Sequence, residues 1–235
     1  MKSRELHRLA EQCGRRQQFL TTRFIRPFMG ISTWTPEALD VSAAYIGLLH
    51  AEAEHALEEM VRKVLRNARE RTVRYQCSPI LVNCVLYYKG DFESKMPNLE
   101  LIPSKKLFAS NRKELLRVWD SVGAGTYFKN LIDGNHGAGI KYVEKLLHPI
   151  GVSVTPKAFK RVSGYGVQEL TQLPPMASTD LYEFVHLRGA AVHTSTASFK
   201  DAIGNDTPEH VANRGESVSR FVHSVARTLA KHAWR

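Results

Sequence analysis

Arg188 and His193 are the side chains of this sequence best suited to chemistry on a phosphate. A guanidinium is permanently charged and presents a fork of N–H donors to an anion, and an imidazole has the ordinary pKa that suits proton transfer near neutral pH. Both lie in residues 181–195, which read as a helix with Leu181, Phe184, Val185, Ala191 and Val192 on one core-facing stripe. Arg188 falls in the middle of that stripe. It must be paired or must face a cavity, because an unpaired buried charge costs on the order of several kcal/mol. Glu54 is the acid the pattern offers it, since His50, Glu54 and Glu58 follow at four-residue steps on the flank of a long apolar stripe. Glu54 reads either as an inward-leaning carboxylate able to satisfy Arg188 or as a surface acid with a histidine neighbour.

Five positions along a regular helix turn a side chain by about 140° and raise it by about 7.5 Å, so one helix cannot aim Arg188 and His193 at the same phosphate. Either the helix kinks or ends between them, which Gly189 and the run Thr194-Ser195-Thr196 permit, or a second copy across a two-fold axis completes the site. No His-Glu-x-x-His and no acidic pair at ligand spacing accompanies the histidines, so neither a metal nor another cofactor is expected. The glycines at 134, 137 and 139 lack the Lys-Ser/Thr of a phosphate-binding loop and read as a turn.

The elements that must position these groups are helices. Residues 3–25 read as one, broken by Pro27 and Gly30. Thr35-Pro36-Glu37 is a helix start, with a capping hydroxyl, proline at the first position and an acid in the first turn. From it a stripe through Leu39, Ile46, Leu49, Ala53, Leu57, Met60, Val64 and Leu65 predicts a helix to about Arg69. Arg62, Arg66 and Arg69 share a face near its end, as an RNA-binding ridge or as a solvated helix end whose charges complement the macrodipole. The apolar run 80–88 fits a buried helix or a strand, and Pro97 and Pro103 mark loops. Asn111 caps a helix that ends at Gly123, a segment 127–132 follows, and Ile140 to His148 form the next helix. Residues 151–177, with three prolines and two further glycines, predict a long connection with at most one short helix. Ser178 or Thr179 opens the Arg188 helix, and Thr207-Pro208-Glu209 opens a last one with Val211, Val218, Val222, Val225 and Leu229 inward. The fold class expected is all-α.

With 235 residues, 43% of them hydrophobic, the chain can bury a core as one domain or one domain with an appendage. Against 23 acids stand 33 lysines and arginines, a formal charge of +10 that favours polyanionic partners or simply makes a basic surface. Cys13, Cys77 and Cys84 are an odd number without Cys-x-x-Cys spacing, which points to reduced thiols and a cytoplasmic location. No apolar stretch follows the basic start and no apolar run is long enough to span a bilayer, so neither a signal peptide nor a membrane partner is expected.

In their order and pattern, the helix 44–59 (AYIGLLHAEAEHALEE), the segment 143–151 (VEKLLHPIG) and the Arg188-x4-His193 motif resemble a HEPN domain. The similarity covers roughly residues 36–232 and is greatest to the branch found in RNA-targeting defence and toxin systems. It implies an antiparallel helical bundle over 31–235 with an N-terminal helical extension over 1–30. It also implies a homodimer that cuts RNA without a metal, in bacterial defence or beside an antitoxin partner. On that reading Arg188 holds the scissile phosphate, His193 is the general acid or base, Glu54 orients the arginine, and the products carry 2′,3′-cyclic phosphates. One departure stands out: members with activity place a polar residue after the arginine, where this chain has Gly189. Either the glycine accommodates a close approach across the dimer, or the module binds RNA or a partner protein without cutting.

Overall fold

The computed structural model describes residues 3–95, 105–155, 157–163, 166–173, 177–193 and 195–233, the side chains of 91–95, 105–107, 161–163, 166–168, 177 and 193 excepted. Leu6, Ala10, Cys13, Gln17 and Leu20 recur at three- and four-residue steps, and the first helix, α1 (Ser3–Leu20), buries that face. A π-type turn over Thr21–Ile25 and a 3-10 turn over Arg26–Phe28 carry the chain to its break at Pro27 and Gly30. The N-terminal segment expected as an extension therefore contributes to the same apolar core as the rest of the chain.

The organising element is α2 (Pro36–Arg74), 39 residues and about 58 Å long. It starts where expected: Thr35 Oγ1 accepts the Ala38 N–H at 3.2 Å, with Pro36 in the first turn. The ambiguous run after Pro79 is a helix, α3 (Pro79–Lys95), which buries Ile80, Leu81, Val82, Cys84 and Val85. Then follow α4 (Lys105–Ser110), α5 (Arg112–Asp120) capped by Asn111 Oδ1 on the Glu114 N–H at 3.1 Å, α6 (Ala124–Asp133) and α7 (Ile140–Leu147). Helices α3, α5, α6 and α7 pack on α2, and Trp119 of α5 stacks on Phe128 of α6 with ring centroids 5.7 Å apart. A 3-10 turn at His148–Ile150 ends at Gly151, whose φ of 87° suits a residue without Cβ.

The all-α expectation is corrected at residues 152–172. Strands β1 (Val152–Val154), β2 (Ala158–Ser163) and β3 (Gly166–Gln172) form an antiparallel sheet in that order, with Val152 opposite Arg161 and Lys160 opposite Glu169. These strands are short and give few alternations each, and the glycines and prolines of 151–177 read in the sequence as loop. One face of the sheet is nevertheless apolar: Phe159 is fully buried, 5.8 Å from the Phe221 ring centroid. At the edge, Glu144 accepts the Val154 N–H and the Ser153 hydroxyl.

The last helices are α8 (Ala177–His193), α9 (Thr196–Ile203) capped by Ser195, and α10 (Pro208–Ala233). Helices α1, α8 and α10 pack on α2, and α10 packs on both α1 and α8. Helix α10 comes close to α2 at Gly215, where a Cβ would overlap the buried Tyr45 hydroxyl, itself bonded to Thr21 Oγ1 at 3.0 Å. The architecture is mostly helical with one small sheet, and no described helix is long and apolar enough to cross a membrane.

Candidate functional site

Helix periodicity puts His50 and Glu54 one turn apart on α2, facing the loop between α6 and α7. That loop is folded tightly onto the helix. Asn135, 2% exposed, donates its side-chain amide to the Gly137 carbonyl at 3.0 Å. The Ala138 N–H donates to His50 Nε2 at 3.3 Å, and a Cβ on Gly139 would come within 3.1 Å of Val185 of α8. The loop is thereby held between α2 and the helix that carries Arg188.

The backbone donor at Nε2 fixes the chemistry of His50. An N–H can only donate, so Nε2 is the unprotonated nitrogen and the ring proton sits on Nδ1, 3.6 Å from Glu54 Oε2. The imidazole is 3% exposed, and burial, with the Arg188 charge second, lowers its pKa from 6.5 to about 4. His50 is a neutral imidazole at physiological pH. Glu54, 19% exposed, is pushed above the usual carboxylate range by burial and then by Glu58. The charges of His136 and Arg188 and the N–H of Gly137 act the other way and support its ionised form.

Arg188 is partly buried on α8 and makes no hydrogen bond or ion pair with another described residue. The expected direct pairing with Glu54 is therefore not formed; the two interact through space, and the Arg188 charge reaches both Glu54 and His50. The guanidinium has open donors of the kind that pair with a phosphate, and an ionised Glu54 beside it opposes a second anion. The buried stripe of α8 is Leu181, Phe184 and Leu187, and the partly buried Arg188 lies in line with Leu181, two turns on. Val192, expected inward, is 52% exposed. Leu187 takes the place in the core, three residues after Phe184, and the stripe is rotated by that exchange.

Helix α8 runs unbroken through Gly189 to His193. At 100° per residue, positions 182, 186, 189 and 193 form one row at i, i+4, i+7 and i+11, opposite the buried stripe. Tyr182 in that row is 72% exposed, and a Cβ on Gly189 would meet nothing within 4 Å. The His193 side chain lies outside the described residues. The backbone alone places position 193 and Arg188 on different sides of the helix.

The basic ridge of α2 is largely neutralised. Arg62 binds Glu59 at 3.0 Å, Glu58 at 3.0 Å and Asp133 of α6 at 2.9 Å. Arg69 holds Asp120 of α5 through two bonds of 2.9 and 3.1 Å, and Arg66 is exposed between them. A phosphate on this ridge would have to displace carboxylates from two of the three arginines. Among the described residues no group of three or more His, Cys, Asp or Glu side chains is placed to hold a metal ion.

Sequence reasoning placed Glu54 beside Arg188 but missed the loop 135–139, which supplies His136 and the backbone N–H groups of Gly137 and Ala138. The available signal was the four-residue spacing of His50 and Glu54 on the flank of the apolar stripe. Compared with known proteins, the chain matches no family model, no curated protein and no solved structure.

Proposed function

We propose that this protein is a metal-independent endoribonuclease of HEPN type that acts as a homodimer with a composite Arg188/His193 site. The observation that carries the reading is Arg188, partly buried beside Glu54 and His50 with its donors unclaimed by any described residue. Arg188 holds the scissile phosphate and stabilises the negative charge that grows on its oxygens. Glu54, kept near the arginine by the Gly137 N–H and the His50 ring, orients the guanidinium. His193 takes the proton of the 2′-hydroxyl or returns one to the departing 5′-oxygen. The 2′-oxygen forms a bond to phosphorus as the bond to the 5′-oxygen breaks, which leaves a 2′,3′-cyclic phosphate and a 5′-hydroxyl.

The continuity of α8 supports the dimer. Arg188 and position 193 diverge on one unbroken helix, so a site that uses both draws its histidine from a second copy. Gly189, with open space over it, permits close approach of two backbones. The same geometry fits a role beside an antitoxin or defence partner that covers the outward row at 182, 186, 189 and 193 until release.

The test is incubation with structured and single-stranded RNA in EDTA. Cleavage that leaves cyclic phosphate ends and disappears in both Arg188→Ala and His193→Ala is the expected result. RNA binding that survives both substitutions, with no cleavage by the unaltered chain, would instead establish a non-catalytic RNA-binding module.

A further inference from the structure

A second cationic feature lies away from this cluster, where α1 meets α10. On α1, Arg4, Arg8 and Arg15 fall at steps of four and seven and are exposed; on α10, Arg220 and Arg227 are seven apart and exposed. Each set therefore lines one side of its helix. The helices lie close together at Gly14, where a Cβ would come within 3.2 Å of His223 Cε1 and of Ser219 Oγ. Between the two rails runs an open groove of about 910 Å³ that includes Arg15, Arg220 and Arg227.

The groove is built for an anion with polar edges. Ser219, Ser224 and His223 lie along it, and Gln172 at the end of β3 closes one side. His223 Nδ1 donates to the Ser219 carbonyl at 2.9 Å, which fixes the ring. Glu11 and Glu216 also line the groove, and Glu216 lies 3.7 Å from Arg220 in a pair more than half exposed. Such a solvated pair is weak and yields to a better anion. Arg15 and Arg227 make no ion pair with any described residue. They differ in this from Arg62 and Arg69 on α2, whose donors carboxylates already occupy.

We propose that the α1–α10 groove binds the backbone of single-stranded RNA, with Arg15, Arg220 and Arg227 on its phosphates. A trench between two helical rails suits an extended chain, whereas a flat anionic bilayer would touch the rims and leave the trench unfilled. Phosphate contacts of this kind set affinity and register without reading sequence. The choice of RNA among polyanions rests on the endoribonuclease reading above.

The test separates the two. A fluorescent single-stranded RNA is titrated by anisotropy with the full chain carrying Arg188→Ala, which suppresses cleavage, and with the same chain also carrying Arg15→Glu and Arg227→Glu. Each lost contact to a single strand lowers the slope of log affinity against log salt by about 0.7. Removing two lowers it by about 1.4 and weakens binding about 10- to 30-fold at 0.1 M salt. Arg15→Gln with Arg227→Gln, checked for unchanged melting, gives the same shift in slope if folding is not at issue. Unchanged affinity and slope in both double variants overturns the proposal, as does binding of phosphatidylserine vesicles in place of RNA. Loss of RNA binding in the variants of a chain that never cleaves RNA supports the groove and refutes the endoribonuclease reading alone.

Discussion

His50 makes acid stability the sharpest physical prediction. Its folded pKa of about 4 lies below the ordinary 6.5 of an exposed histidine, so between those values the unfolded chain binds a proton that the folded chain refuses. The contribution of His50 is fully present above pH 6.5 and is lost as the pH falls toward 4. From those two values the loss is about 2.5 kcal/mol between pH 7.5 and pH 4.5. Glu54 works in the opposite direction, because a carboxyl raised in the folded state regains stability as it is protonated. The comparison that isolates His50 is therefore His50→Gln, which cannot take the proton yet still offers an acceptor to the Ala138 N–H. Urea unfolding of both proteins at pH 7.5, 6.0 and 4.5 gives the two profiles. The unaltered chain should lose about 2.5 kcal/mol more than the glutamine variant over that range. Parallel profiles would mean that His50 takes up its proton as readily in the fold as outside it, and the buried, neutral imidazole would have to be abandoned.

Three further outcomes follow from particular contacts. Gly215→Ala places a methyl on the Tyr45 hydroxyl and should cost about 1–3 kcal/mol in thermal unfolding, with Tyr45→Phe in the same chain recovering part of the loss. Gly189→Ala meets no atom of its own chain and should raise helix stability by up to about 1 kcal/mol. In the same variant, sedimentation should show weaker self-association; a dimer of unchanged strength would remove Gly189 from the interface. His50→Leu leaves the buried Ala138 N–H without an acceptor, and a cost of about 1–3 kcal/mol should appear as faster hydrogen exchange in residues 135–139.

Much of the frame is legible because local chemistry determines it. Thr35, Asn111 and Thr207-Pro208 mark helix starts at which the structure begins α2, α5 and α10, and apolar spacing carries α2 and α10 across their lengths. The sheet at 152–172 is not legible, since its apolar face depends on Phe159 reaching Phe221, more than sixty positions further along the chain. The stripe of α8 misleads for a related reason. Val192 and Leu187 are equally apolar, and only the placement of α2 and α10 decides which one the core receives. At the candidate site, the residue types at 54 and 188 are informative, while the loop that braces them is not, because its Ala138 meets His50 of α2 across 88 residues of sequence.

The composite site is the central claim, and mixing tests it most directly. Arg188→Ala and His193→Ala chains are each inactive on this account, yet a mixed dimer retains one site with an intact arginine from one copy and an intact histidine from the other. Random exchange makes half of the dimers mixed, each with one of two sites whole, so equal parts of the two chains should restore about a quarter of the unaltered activity. Activity that stays at the level of the separate variants, although exchange is shown by differently tagged chains, would place Arg188 and His193 in the same protomer's site and contradict the account.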